Sequence, residues 1–222
     1  MATRRTDNLP RRLARVPTAA IGDVLDALGL PRQTLPSAIQ PLLPDMRLAG
    51  YAFTARGRAH RGAPREREQT LRRYLTMLGA VPADSVLVLA ANDNVAAHFG
   101  ELSAEWFRTR RVRGAVVDGG TRDAAALARM RFPTFVRYRS PQDSAPRWRL
   151  SDWGQPLTIG GVRVSLGDVV VADLDGVVVV PRRVAHEVVT RCEKLVVIEN
   201  AVRKAVKRGL TPLAAYDRFK AF

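Results

Sequence analysis

Apolar positions recur along this chain with two periods, and the switches between them outline its elements. Ile21, Val24, Leu25 and Leu28 fall at helical spacing, with Thr18 placed to cap the helix and Gly29 and Pro31 to end it. Residues 48–56 alternate as a strand does. Residues 65–78 read as a charged helix with Leu71, Leu75 and Leu78 on one stripe. A short buried strand follows at 86–89, then the polar turn Asn92-Asp93-Asn94 and a helix running through Trp106. Residues 114–117 form another buried strand, interrupted by Asp118-Gly119-Gly120 before a helix starts near Arg122. Strands alternating with helices at this spacing predict an α/β fold with a mainly parallel sheet.

The last third changes character. Residues 141–156, with Trp148 and Trp153, read as a loop; 162–164, 169–173 and 177–180 read as short strands, with Leu174-Asp175-Gly176 at a hairpin tip. A long helix is expected from about Arg183 to Arg208, stopped by Gly209 and Pro212. No repeat and no linker divides the chain, so residues 1–222 are expected to be a single domain, with 1–16 a basic N-terminal arm and 183–222 a C-terminal helical extension.

Hydrophobic residues at 46% and charged residues at 26% match ordinary globular usage. No apolar run approaches the roughly 18–20 residues of a membrane span, and the Arg-rich start has no apolar signal core. A cytoplasmic location is expected. The single cysteine, Cys192, excludes an internal disulfide and a thiolate cluster, and its apolar helical setting makes it an inert buried thiol. The net charge of +15 raises nucleic acid as a partner. Four of the cations are Lys and the rest Arg, a bias expected of GC-rich coding, so the excess reads as a solvated surface rather than a footprint formed by Arg4, Arg5, Arg11, Arg12 and Arg15 or by the 56–73 segment. A nucleic-acid partner is not expected, since no recognition motif or aromatic platform accompanies the charge.

Ligands of open α/β sheets bind outside the carboxyl ends of the strands. Two such ends stand out: residue 89 leading through Asn92-Asp93-Asn94 to Gly100-Glu101-Leu102, and residue 117 leading through Asp118-Gly119-Gly120-Thr121 to Arg122-Asp123. The glycines would let backbone approach a ligand, and free N–H groups would hold a carboxylate. Arg122-Asp123 sets a fixed cation beside a hard oxygen ligand suited to Mg²⁺ or Mn²⁺. Alone, the dipeptide more often describes helix capping and charge balance.

The wider pattern says more. Glu101, twenty intervening residues and Arg122-Asp123 resemble the acid-X20-Arg-Asp signature of the RraA-like family, which contains class II pyruvate aldolases acting on 4-hydroxy-4-methyl-2-oxoglutarate and 4-carboxy-4-hydroxy-2-oxoadipate. Segments 20–29, 48–54, 114–123 and 167–181 resemble family stretches in the same order. The resemblance implies a swivelling β/β/α sandwich with a C-terminal helix, assembled as a homotrimer or a dimer of trimers (a hexamer) with sites between subunits. It implies a divalent metal, Mg²⁺ or Mn²⁺, on Asp123; Arg122 on the keto oxygen and carboxylate of a small 2-oxo acid; Glu101 orienting a water held by the metal; and N–H groups near Gly100, Leu102 and Ser103 holding the substrate carboxylate. It further implies a lyase that works through a pyruvate enolate, by retro-aldol cleavage of a 4-hydroxy-2-oxo acid, by oxaloacetate decarboxylation, or by both.

Glu199 lies oddly on the apolar stripe of Cys192, Leu195, Val196, Val202 and Val206. It resembles the glutamate that a neighbouring subunit contributes to the family site; the plainer alternative is a pair with Arg203 at i+4. The chain departs from the family in carrying Ala90-Ala91-Asn92-Asp93-Asn94 where aldolases have Asp-x-Gly-Gly, Glu101 where Asp is commoner, and a strongly basic composition. His98 reads as a packed histidine before a proton carrier, and His60 and His186 as surface residues. The competing function is a regulatory binding protein of the ribonuclease-inhibitor type without catalysis. The best-known such member lacks the metal-binding Asp that Asp123 supplies here.

Overall fold

The computed structural model describes residues 8–60 and 66–222. Arg4, Arg5 and the expected helix start at Arg65 lie outside them. In chain order the elements are α1 (Leu9–Leu13), α2 (Thr18–Ala27), β1 (Gln40–Pro41), β2 (Leu48–Ala59), α3 (Arg67–Ala80), β3 (Ser85–Ala90), β4 (Ala97–Phe99), α4 (Glu101–Thr109), β5 (Gly114–Thr121), α5 (Ala124–Met130), β6 (Thr134–Arg139), β7 (Trp148–Trp153), β8 (Leu157–Ile159), β9 (Val162–Val164), β10 (Val169–Asp173), β11 (Gly176–Val180), α6 (Ala185–Lys207) and α7 (Pro212–Phe219).

One sheet carries the order β1-β6-β5-β3-β2-β10-β11, with β4 pairing β5 and β7 pairing β2. Its centre, β6-β5-β3-β2, is parallel, as the strand-helix alternation requires, and its margins are antiparallel. Both faces of the β10–β11 hairpin are covered, which accounts for its unbroken valines. Val170, Val177 and Val179 enter the main core, while Val169, Val171, Val178 and Val180 face α1, α2 and α6 in a second core with Ile21, Leu25 and Cys192.

Four expectations change. Thr18 is not the cap of α2: Pro17 holds that position, and the Thr18 N–H and hydroxyl donate to Asp173 at 3.0 and 2.6 Å, so a carboxylate from the hairpin tip satisfies the helix start. The 141–156 stretch is not all loop, since β7 pairs antiparallel with β2 and buries Trp148. The Asp118-Gly119-Gly120 segment does not interrupt its strand but continues β5 to Thr121, because β4 supplies a new parallel neighbour beyond the end of β3. On α3 the buried residues are Thr70, Met77 and Leu78, whereas Leu71 and Leu75 are 45% and 53% exposed. Helical periodicity identifies an apolar stripe, not what covers it. Among the described residues, no helix is long and apolar enough to cross a membrane.

Candidate functional site

The extension of β5 past β3 is what builds the site. Beside β4, Arg122 N–H donates to Phe99 O at 3.0 Å and the Thr121 hydroxyl to the same carbonyl at 2.9 Å, fixing the 121–123 turn against the start of α4. Asp123 then adopts a left-handed backbone, φ 57° and ψ 31°, as the cap residue of α5. Asp is among the few non-glycine residues that tolerate this conformation, and such strain concentrates at functional positions.

The carboxylate of Asp123 turns toward the start of α4 and accepts the Glu101 N–H on Oδ2 at 3.2 Å. Gly100, the cap of α4, contributes no side-chain hydrogen bond, so the opening N–H groups of this helix present partial positive charge toward Leu102 and Ser103. Arg122 Nε lies 3.7 Å from Asp123 Oδ2, and its Nη1 lies 3.7 Å from Asp143 Oδ1. Both distances exceed hydrogen-bond length. The guanidinium is therefore oriented by two carboxylates while its N–H groups keep their donor capacity.

These residues open on a cavity of about 170 Å³, whose lining includes Gly100, Leu102, Ser103, Arg122 and Asp123. Five of the residues read from the sequence are thus brought together. Glu101 is exposed in the first turn of α4; its backbone holds Asp123, but its side chain is outside the lining. Glu199 is not brought to this cavity by its own chain, since α6 packs on α1, α2 and α7. The expected Glu199–Arg203 pair does not form either: Arg203 donates to Asn200 at 2.6 Å.

The rest of the lining was not read from the sequence as part of the site. It includes Leu71, Tyr74 and Leu75 of α3, Trp148 of β7, and Asp143, which lies beside Arg122. The Tyr74 hydroxyl donates to His98 O at 2.7 Å, and desolvation pushes its pKa up to about 12, against smaller opposing effects of a hydrogen bond with Ser103 and of Arg122. Tyr74 is a neutral phenol at ordinary pH. Desolvation of Asp143 favours its acid form, but the Ala145 N–H, Arg67 and Arg122 outweigh it and hold the carboxyl below the usual range. Asp143 lies in no local motif. Only the parallel bridge between Ala97 and Asp143, with Ala97 N–H on Gln142 O at 2.9 Å, draws it to the site.

His98 is a packed histidine, 2% exposed, standing edge-on to Trp148. Its Nδ1 accepts the Gly120 N–H at 3.3 Å; its Nε2 lies 3.2 Å from Asp93 Oδ2, poorly aligned for a hydrogen bond. Burial lowers its pKa to about 4, with Asp93 opposing the shift. Gly119 and Gly120 serve this packing rather than a ligand: added Cβ atoms would stand 2.6 Å from Ala91 Cβ and 2.4 Å from the Tyr138 ring. His60 is 2.9 Å from Glu66, His186 is exposed, and the buried Cys192 thiol is raised to about 12, chiefly by desolvation.

The geometry defines an α/β protein with an arginine, a carboxylate and an open helix start at the ends of its parallel strands. The sequence profile of the RraA-like family, Aldolase/RraA, matches residues 18–179, and the chain belongs to that family. It is 28% identical over 201 residues to the Halalkalibacterium halodurans protein named "Putative 4-hydroxy-4-methyl-2-oxoglutarate aldolase", covering 90% of each chain. It is 29% identical over 206 residues to Protein DlpA of Legionella pneumophila, matching 92% of this chain but only 32% of that protein, so it spans about a third of DlpA. Among solved structures, Streptomyces coelicolor RraAS2, described as an unusual member of the RNase ES inhibitor RraA protein family, superposes with a TM-score of 0.79 at 29% identity, over 91% of this chain and 99% of that one.

Proposed function

We propose that the protein is a divalent-metal-dependent carbon–carbon lyase acting on small 2-oxo acids through a pyruvate enolate. The observation that carries this reading is the placement of Asp123, in a left-handed cap conformation, beside Arg122 and at the start of α4, where its carboxylate takes the Glu101 N–H. Oδ2 is engaged by the Glu101 N–H, and no hydrogen bond to Oδ1 accompanies it among the described residues. These residues fit a hard cation that retains most of its waters, Mg²⁺ or Mn²⁺, because such an ion needs only one or two protein carboxylates. No group of three or more His, Cys, Asp or Glu among the described residues offers a closed cage instead.

When bound, the metal supplies Lewis-acid polarisation of the substrate's keto group. The chain's own residues do the rest. The opening N–H groups of α4 at Leu102 and Ser103 hold the C1 carboxylate. Arg122 donates toward the C2 oxygen, where negative charge develops as the enolate forms, and that preorganised charge lowers the barrier. In retro-aldol cleavage the C4 hydroxyl gives its proton to water and becomes a carbonyl as the C3–C4 bond breaks, and that bond's electron pair becomes the enolate, which water then protonates at C3 to give pyruvate. In oxaloacetate decarboxylation the same pair is released by loss of CO₂.

Glu199 enters this reading from a neighbouring copy of the chain in a homotrimer or dimer of trimers, since its own chain directs it elsewhere. The test is an assay of oxaloacetate decarboxylation and 4-hydroxy-2-oxo acid cleavage with Mg²⁺ or Mn²⁺, before and after EDTA. Metal-dependent release of pyruvate is expected. Absence of both activities in the metal-loaded protein would give way to the non-catalytic, regulatory alternative.

A further inference from the structure

Arg122 and Asp123 line two cavities. Beside the one at the start of α4 lies a second, of about 430 Å³, whose lining includes Arg139, Ser140 and Pro141 from the end of β6 and the turn after it. Among the described residues the two cavities share Arg122 and Asp123 and no other lining residue. A ligand centred on that pair can therefore extend one end into each.

Strand register sets Arg139 at the second end. It stands opposite Thr121 in the parallel pairing of β5 with β6, and the Ser140 N–H donates to Thr121 O at 2.9 Å, so its backbone lies one strand away from the turn carrying Arg122. The chain beyond is held too, the Gln142 N–H donating to Ser140 Oγ at 3.2 Å. The two arginines differ in their company. Arg122 lies 3.7 Å from each of two carboxylates, Asp123 and Asp143, and Asp143 is itself paired with Arg67 at 3.0 Å. Arg139 is exposed, and its guanidinium has no hydrogen bond or ion pair among the described residues. The described lining of its cavity holds one carboxylate, that of Asp123, which the function proposed above assigns to the metal. A cation carried by the sheet thus keeps its donor fork free beside the reacting centre.

We infer that Arg139 is a specificity-determining residue: it receives a second carboxylate at the tail of the substrate while the 2-oxo acid head is held at the start of α4. The inference rests on the 2-oxo acid reading of the site and names the residue that selects the tail. Arginine suits the task because its planar fork meets both oxygens of a carboxylate at once.

Calorimetric titration of the Mg²⁺-loaded protein with pyruvate and with 2-oxoglutarate tests it. The two acids share a head, and 2-oxoglutarate adds a carboxylate two methylenes beyond the keto carbon. It should bind tighter by about fivefold or more at low ionic strength, because a bidentate arginine–carboxylate pair exceeds the ordinary surface ion pair, and the advantage should shrink as salt is added. Arg139→Gln, at an exposed position where folding is not at stake, should bring the ratio of the two affinities to about one, and Arg139→Lys, which keeps the charge and loses the fork, should leave it in between. No advantage of 2-oxoglutarate in the wild type, an unchanged ratio in Arg139→Gln, or no binding of either acid would overturn the inference. Exchange of the pyruvate methyl protons in D₂O reports enolate formation separately: a ratio that depends on Arg139 without exchange would remove the lyase reading while leaving the tail contact standing.

Discussion

A Cβ built on Gly100 would lie 2.7 Å from Asp123 Oδ2, inside the contact distance of carbon and oxygen. Gly100 has an extended backbone, φ −163°, that any residue adopts, so glycine is required there by the neighbouring carboxylate and not by the chain's conformation. Gly100→Ala should therefore displace Asp123 and break its bond with the Glu101 N–H while leaving the fold intact. Mn²⁺ affinity, followed by electron paramagnetic resonance, should fall by about tenfold or more, the scale seen when support of a metal ligand is lost. Unchanged affinity would mean that the Glu101 N–H bond to Asp123 Oδ2 gives the metal ligand no support.

Two further substitutions separate metal binding from enolate stabilisation. Asp123→Asn keeps shape and removes charge, so metal affinity and metal-dependent turnover should both be lost with little change in thermal stability. Arg122→Lys keeps a cation but loses the planar fork. Metal affinity should survive while turnover drops by about 10²-fold or more. Identical signatures in the two variants would contradict the division of roles.

Much of this architecture was legible in the sequence because it depends on local pattern. The valines of β10 and β11, the buried run of β3, and the two loops leading to Gly100 and Arg122 each announce themselves through periodicity or turn chemistry. What was illegible depends on pairing between distant segments. β4 has three residues and exists through its partner β5. β7 reads Trp-Arg-Leu-Ser-Asp-Trp, with no sustained alternation to distinguish it from a loop, and it is a strand because β2 is twelve residues long and β10 pairs only its first four, leaving that edge open to β7 from Ala55 onward. Leu71 and Leu75 showed helical spacing but line a cavity. Asp143 carried no signal at all, since its place is set by the bridge to Ala97.

The same β2–β7 pairing yields a stability prediction. A Cβ on Gly57 would sit 2.0 Å from the buried Trp148 ring, and the arginine-to-glycine step at 56 and 57 is already irregular in register. Because Trp148 is 1% exposed and hydrogen-bonded to Ala91, it has little room to yield. Gly57→Ala should destabilise by about 1–3 kcal/mol, the usual cost of overpacking, and should also distort the apolar wall of the cavity. Urea unfolding with an unchanged midpoint would show that β7 is free to move.

Acid sensitivity follows from His98. Its folded pKa, about 4, is below the ordinary histidine value of 6.5, with burial the leading cause. Between those values the unfolded chain binds a proton that the folded chain does not, so stability is lost as pH falls from about 6.5 toward 4. His98→Gln retains an acceptor for the Gly120 N–H but does not titrate. Its unfolding midpoint should drop less than the wild type's between pH 7 and pH 5, and an equal drop would assign the acid sensitivity to other groups.

The C-terminal helices expose Val197 at 69% and Ile198 at 38%, just before Glu199 on α6, and Leu213 at 71% and Tyr216 at 51% on α7. Large exposed apolar side chains are the raw material of an interaction face, and Glu199 lies on α6, away from its own chain's cavity. If a neighbouring copy presents Glu199 to the site, Glu199→Gln should slow turnover without unfolding the protein, and light scattering should show an assembly larger than the 24.5 kDa chain. Subunit mixing gives the sharper result. The Asp123→Asn assembly should be nearly inactive and the Glu199→Gln assembly slowed, yet in a randomly mixed oligomer about one site in four combines an intact Asp123 from one subunit with an intact Glu199 from the next. Unfolding the two variants together and refolding them should thus restore about a quarter of wild-type activity, whereas mixing without exchange should restore none. No recovery after refolding, in an assembly that has re-formed, would place Glu199 outside the site.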